Sequence, residues 1–275
     1  MTEADEFTKQ AIFMTKPEYK QDFHYKVIRK RFNADFASKK NTGYVTVAAV
    51  NLVGTLEKSK YDKLLTYISV EKQKRINRFH RYQDAQRTLI GDILVRYLLC
   101  KRLGVRNKEL IFGVNEYGKP FLVNSTDAEF NISHSGEWVV CSIDNMPVGI
   151  DIEQVKPIDI SIAERFFSKE EVKSLMSKCI AEREAYFYDL WTLKESYIKA
   201  VGKGLSIPLN SFTIRIVKNN ITVCSANETD NYYFKQYYID QEYKMAVCSS
   251  KNEFPDEINF FNIDELYEEL LLILI

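Results

Sequence analysis

The stretch from Phe130 to Glu153, FNISHSGEWVVCSIDNMPVGIDIE, constrains this chain more than any other. It reads as two short strands, a turn and a third strand. Gly149–Glu153 alternates strictly, and side chains on a strand point to opposite faces with period 2. Ile150 and Ile152 therefore point into a core, and Asp151 and Glu153 share the other face. Adjacent carboxylates repel, so a fold places them together either on a wet acidic edge or around a hard cation. Mg²⁺ takes oxygen ligands and favours one or two carboxylates plus substrate phosphates. The D-x-E pattern is too common to decide between these alone.

The rest of the chain narrows the choice. It has 275 residues, 45% of them hydrophobic and 13% aromatic. That suits one domain of two halves, or two small domains. The formal net charge is zero, whereas a general nucleic-acid binder carries a basic excess, so any anion site must be local. The five cysteines are scattered and odd in number, which argues against a disulfide framework or a zinc site. Reduced thiols, no leader-like start and no run of ~18 apolar residues lead us to expect a cytoplasmic protein without a membrane span. Leu270–Ile275 reads as a docked tail.

Residues 1–42 are mixed and charged and end in a linker-like Ser38–Gly43 stretch, so we expect an appendage there. Halves over 43–146 and 147–275 follow it. Tyr44–Val50 reads as the first core strand, and Tyr61–Tyr67 as a short helix. Ser69 is a candidate N-cap of a helix carrying Lys72, Lys74, Arg75, Arg78 and Arg81. Asp84–Leu103 reads as an amphipathic helix stopped by Gly104. Ser168 and Glu171 form a candidate capping box, and a second long helix is expected from about Glu184 to Val201, stopped by Gly202. Ser211–Val217, Ile221–Cys224, Tyr232–Ile239 and Lys244–Cys248 read as strands of one antiparallel sheet. Asp264–Leu271 reads as a closing helix. The two halves share this plan, so an internal duplication is expected, although no residue-level repeat is visible.

Two further constellations carry chemistry. On the second long helix Trp191, Glu195 and Lys199 recur at four-residue spacing. This is either a surface Glu–Lys pair or a third metal carboxylate with a cation one turn on, which suits a leaving phosphate. Lys72, Arg75, Arg87 and Lys119 could line a polyphosphate pocket, with His134 near the carboxylates. Otherwise they are solvated surface charges.

These residues fall into blocks that together resemble the Sfp-type 4′-phosphopantetheinyl transferases, which activate nonribosomal peptide and polyketide synthetases in antibiotic biosynthesis. The blocks are Ser69–Lys72, Asp84–Leu89 with Arg87 and Thr88, Gly118–Pro120, Phe130–Gly136, Gly149–Glu153, Phe166–Ser168, and Trp191–Lys199 with Gly202–Leu205. The resemblance spans about Tyr44 to Leu266. It implies an α+β fold of two pseudo-symmetric halves, a pseudo-dimer in one chain, with coenzyme A between them. It implies transfer of the 4′-phosphopantetheine arm of coenzyme A to a serine of an apo peptidyl or acyl carrier protein, releasing 3′,5′-ADP. By the same resemblance Asp151, Glu153 and Glu195 hold Mg²⁺, with Mn²⁺ as the alternative ion; Asp151 and Glu195 are expected to stand exposed in a cleft. Lys72, Arg75, Arg87, Thr88, Lys119, Ser133, His134 and Lys199 contact coenzyme A. Glu195 is the base, Lys199 aids the leaving group, and His134 joins them at the reacting centre. Carrier docking is expected near Gly202–Tyr233, on a monomer with no nucleic-acid or membrane partner. The chain departs from the family at Val70, where Pro is common, and at Arg75, where close relatives have Lys. Residues 1–42 have no counterpart. A silent carrier-protein or coenzyme A binding module and a Mg²⁺-dependent nucleotide diphosphate hydrolase are the rival readings.

Overall fold

Two sheets and two long helices build the part of the chain that positions the carboxylates. The computed structural model describes residues 45–218, 220–225 and 231–273. The segment expected as an appendage therefore lies outside the described residues. The apolar run at the start of the first block forms β1 (Thr46–Asn51). Strands β4 (Glu129–Ser135) and β5 (Trp138–Asp144) are joined by a tight turn at Gly136, whose φ of 54° is left-handed. A Cβ there would run into the Tyr243 hydroxyl. β6 (Val148–Gln154) follows.

Late in the chain come β9 (Tyr233–Tyr237), β10 (Tyr243–Ser249) and β11 (Asn259–Asn262). The strand orders are β11-β1-β5-β4 in a four-stranded sheet and β6-β10-β9 in a three-stranded one. β11 pairs parallel with β1, so the chain's end returns to the first sheet. Hairpins β2 (Phe112–Val114) with β3 (Pro120–Leu122), and β7 (Phe212–Val217) with β8 (Asn220–Ser225), stand apart from both sheets. The single late antiparallel sheet read from the sequence is thus two units. β9 and β10 join β6, and β7–β8 packs beside the second long helix. Local alternation identifies strands but does not choose their partners.

The helices follow their signals. α1 spans Lys58–Leu65. α2 (Val70–Ile76) starts where the Ser69 side chain accepts from the Lys72 backbone, and it ends before Arg78 and Arg81. α3 (Tyr82–Leu103) stops at left-handed Gly104. After the short α4 (Ala163–Phe166), α5 (Lys169–Met176) opens with the Ser168/Glu171 capping box. α6 (Ile180–Val201) stops at left-handed Gly202. α3 and α6 are each 22 residues long, and each follows a short Ser-capped helix. α7 (Ile263–Ile273) closes the described chain, with Leu266 and Leu270 buried.

α3 covers one face of the four-stranded sheet, close enough at Gly91 that a Cβ would lie 3.3 Å from Ile132. The facing sides of the two sheets share a core that includes Val47, Val140, Ile150, Ile152, Met245 and Val247. α6 covers the outer face of the three-stranded sheet through Leu190, Leu193 and Tyr197. Ile150 and Ile152 are fully buried, as the alternation requires, so Asp151 and Glu153 turn toward α6.

Candidate active site

A seam between β4 and β6 builds the site. No backbone ladder joins these strands; side chains at every second position of β4 do. Asn131 Oδ1 accepts from the Ile150 N–H at 3.0 Å. Ser133 Oγ donates to Asp151 Oδ1 at 2.8 Å. Ser135 Oγ donates to Glu153 Oε2 at 2.9 Å and accepts from the Gln154 N–H at 3.0 Å. Period 2 places these three polar side chains on one face, against the strand that carries the carboxylates.

α6 closes the seam from the other side. Gly149 permits the approach, because a Cβ there would overlap the Ser196 carbonyl oxygen and the Ala200 nitrogen. Lys199 then reaches across to Asp151 Oδ1 at 2.5 Å, Ser133 Oγ at 3.2 Å and the Ile150 carbonyl at 3.3 Å. Asp151 is buried at 3% exposure. This corrects the expectation that it stands open in a cleft: α6 and β4 cover it, and Lys199 supplies the countercharge that makes burial tolerable.

Lys199, with Lys156 acting on Glu153, does not offset the three carboxylates in full. Burial, then the Asp151 charge, raises the Glu195 pKa to about 7, only partly opposed by Lys199. Burial and Asp151 also raise Glu153. Asp151 Oδ2 is buried with no hydrogen-bond partner among the described residues. A buried carboxylate oxygen left without a partner is costly. As placed, no three acidic, imidazole or thiol side chains among the described residues form a group that could hold a metal ion. What the seam offers is an unpaired oxygen and two carboxylates with raised pKa values, all oxygen donors. Such a set fits a hard divalent cation that takes its remaining ligands from substrate and water.

The other expected residues divide into two groups. His134 lies on the opposite face of β4 from Ser133 and Ser135, toward α3. The residue is exposed, yet enclosure by its neighbours, followed by the Arg87 charge, holds its pKa below the ordinary histidine value. Arg87 donates to the Gly136 carbonyl at 2.7 Å and pairs with Asp84. Thr88 Oγ1 donates to the Asp84 carbonyl. Lys72 pairs with buried Asp92 and sits over the Phe112 ring, and Arg75 is exposed. Lys119 is turned inward, with its ammonium donating to the Val148 and Ala200 carbonyls. Burial lowers its pKa, and Glu129 opposes that only in part.

Several side chains on which the site depends escaped the sequence reading. Lys194, beside Glu195, is fully buried, and its ammonium donates to both Glu171 oxygens at 2.6 and 2.8 Å and to the Phe212 carbonyl at 2.8 Å. Lys244 lies opposite Glu153 in the β6–β10 register and pairs with Asp189 of α6. Ser135 and Asn131 could have been found from the polar period-2 run N-x-S-x-S in a chain whose neighbouring strands are apolar. Lys194 carried no such signal, because a lysine on a long helix reads as surface.

Known proteins resemble this chain over both parts of the seam. Residues 56–145 match the model of the 4′-phosphopantetheinyl transferase N-terminal family. Residues 147–248 match that of the 4′-phosphopantetheinyl transferase superfamily. The chain is 43% identical over 212 residues to the 4′-phosphopantetheinyl transferase Sfp of Bacillus subtilis (strain 168), covering 77% of this chain and 95% of that one. It is 42% identical over 200 residues to the 4′-phosphopantetheinyl transferase gsp of Aneurinibacillus migulanus, covering 73% and 84%. It is 29% identical over 224 residues to the L-aminoadipate-semialdehyde dehydrogenase-phosphopantetheinyl transferase of Mus musculus, covering 72% of each. With both halves of the site inside matched regions, and with relatives of this identity spanned almost whole, the chain belongs to the Sfp-type 4′-phosphopantetheinyl transferases.

Proposed function

We propose that the β4–β6–α6 seam is where this transferase moves the 4′-phosphopantetheine arm of coenzyme A onto a serine of an apo carrier protein. The observation that carries this reading is the under-compensated carboxylate group, Asp151 with its unpaired buried oxygen beside Glu153 and Glu195. Asp151, Glu153 and Glu195 would hold Mg²⁺. When bound, the ion supplies positive charge to the coenzyme A diphosphate as its bond breaks.

The chain's own residues account for the proton movements. In the metal-free site burial and the neighbouring carboxylates raise Glu195 to about 7, and its carboxylate is the candidate general base. Glu195 takes the proton of the carrier serine, whose oxygen attacks the phosphorus bearing the pantetheine. The bond from that phosphorus to the 3′,5′-ADP oxygen breaks, and Lys199 offsets the charge on that oxygen or gives it a proton. Ser133 orients Asp151 and Lys199 together. Lys72, Arg75, Arg87 and His134 would meet the coenzyme A phosphates, with Thr88 beside them, through charge-assisted and neutral hydrogen bonds. The carrier docks on the surface following Gly202. The protein works as a monomer, because one chain supplies both halves, and in the cytoplasm. Among the described residues no helix is long and apolar enough to cross a membrane.

Mass spectrometry of an apo carrier protein with coenzyme A and Mg²⁺ tests this. Transfer adds the phosphopantetheine mass to the carrier. Splitting of coenzyme A with no gain by the carrier would make the chain a hydrolase, and no mass change would make it a binder. Asp151→Ala and Glu195→Ala should each nearly abolish the gain. Wild-type transfer by either variant in limiting Mg²⁺ would remove these residues from the mechanism.

A further inference from the structure

The acidic face of β6 looks onto a lysine that Glu153 does not hold. Lys244 of β10 is the direct antiparallel partner of Glu153. Directly opposed side chains point to the same face with Cβ atoms about 4.5–5.5 Å apart, and opposite charges placed so attract. A Glu153–Lys244 pair is therefore the arrangement that the register favours. The structure shows another. The Lys244 ammonium donates to both oxygens of Asp189 on α6, at 3.0 Å to Oδ1 and 3.1 Å to Oδ2. Gln236 of β9, opposite Ala246 in the sheet, donates from Nε2 to Asp189 Oδ1 at 2.9 Å. Glu153 accepts from the Ser135 hydroxyl instead, and the cations that bear on it are Lys199 and Lys156.

Two carboxylates thus compete for one ammonium, and the one outside the seam takes it. Asp189 offers both oxygens to the cation, and Gln236 fixes the orientation of its carboxylate. The side chains of Lys244 and Asp189 are 30% and 21% exposed, so salt screens the pair less than it would a pair in open solvent. An ammonium on Glu153 would harm a cation site in two ways. It would occupy a carboxylate oxygen that a hard cation takes as a ligand, and its charge would repel the ion.

We propose that Asp189 is a positioning residue: it holds Lys244 away from Glu153 and so keeps Glu153 open as a ligand for a divalent cation. This rests on the cation role proposed above for Asp151, Glu153 and Glu195. Asp189 acts through the lysine, not on the cation itself. Its loss should weaken cation binding and leave kcat at saturating cation in place. Removing Lys244 as well should bring the affinity back. Loss of a merely structural contact between α6 and β10 would not be repaired by a second deletion.

Mn²⁺ binding by the full chain, followed through the electron paramagnetic resonance signal of free Mn²⁺, needs no turnover and provides the test. Asp189→Asn keeps the side chain's shape and removes its charge. Its Kd for Mn²⁺ should rise roughly three- to tenfold, on the scale of one partly exposed ion pair. Adding Lys244→Met should return the Kd to within about twofold of wild type, because the two residues act as a unit. The Mg²⁺ concentration for half-maximal transfer should follow the same order, with kcat at saturating Mg²⁺ within about twofold. Unchanged Mn²⁺ affinity in Asp189→Asn, or a double variant as weak as the single one, would overturn the proposal. A second measurement uses metal-free protein. Coupling between Glu153→Gln and Lys244→Met, read from melting temperatures, should be larger in the Asp189→Asn background than in wild type. Equal coupling in both backgrounds would likewise overturn it. A wild-type chain that binds no Mn²⁺ would strike the cation reading of the seam, whereas the melting cycle still decides whether Asp189 holds Lys244 off Glu153.

Discussion

Replacing Glu171 by Gln should destabilise the protein by about 3 kcal/mol, although Glu171 is far from any reacting atom. The carboxylate is 1% exposed and its partner Lys194 is 0% exposed. It accepts from the Lys194 ammonium at 2.6 and 2.8 Å, the Ser168 N–H at 2.7 Å and the Ile214 N–H at 2.7 Å. One side chain thus caps α5, joins it to β7 and anchors α6 one residue before Glu195. Removing one member of a buried ion pair costs about 3–5 kcal/mol, because the other charge is left uncompensated. Here the cost should fall at the low end of that range. Burial already holds the Lys194 pKa down at about 8 with Glu171 in contact. Without Glu171, Lys194 can shed its proton at neutral pH and escape part of the penalty. In a domain of this size about 1 kcal/mol moves the melting temperature by about 2–4 °C, so a fall of roughly 6–12 °C is expected. Circular-dichroism melts and urea titrations of Glu171→Gln, Lys194→Met and the double variant provide the assay. The double variant should cost less than the two single losses added, since it leaves no buried charge unpaired. A single variant within about 1 kcal/mol of wild type, or a double variant as unstable as the two losses added, would show that the pair does not anchor α6.

Three other outcomes are expected. Gly149→Ala should prevent α6 from seating on β6, because its Cβ meets backbone atoms that cannot yield; loss of soluble folded protein checks this, and Gly54→Ala, with open space around it, should cost only about 1 kcal/mol for its left-handed φ. In metal-free protein, Glu195 holds its proton more tightly folded than unfolded, since its pKa is about 7 against an ordinary 4.5; its stabilising contribution is complete below pH 4.5 and lost as pH rises through 7. The melting temperature of wild type relative to Glu195→Gln should therefore fall between pH 5 and pH 8, and a flat difference would refute the shift. Deleting residues 1–42 should leave transfer within about twofold and the melting temperature within a few degrees, and a drop of roughly ten degrees would place the segment in the fold.

The sequence made the site's ingredients legible but not its enclosure. Period 2 put Ile150 and Ile152 in the core and the two carboxylates opposite them. The Ser69 and Ser168 caps marked the starts of the two short helices, and the Gly104 and Gly202 stops marked the ends of both long ones. Each of these signals is local, carried by side chains within a few residues of the backbone they control. Partner choice is not local. β11 pairs with β1 across most of the chain, and β7–β8 leaves the sheet to which its alternation seemed to assign it. Asp151 looked exposed for the same reason: nothing in Gly149–Glu153 says that a helix some forty residues later will lie over it. The correction has chemical weight. An exposed Asp151 would be a solvated ligand with no tie to Lys199. A buried one, held by Ser133 and by the Lys199 countercharge with one oxygen unpaired, is positioned in advance for a further ligand. The N-x-S-x-S run then acquires a meaning that no single position in it has. A β4 strand with apolar side chains at 131, 133 and 135 would still pair with β5, yet it would leave β6 with an unbonded Ile150 N–H and two unheld carboxylates. Polar side chains at that period therefore make the joint between the two sheets and orient the carboxylates in the same stroke.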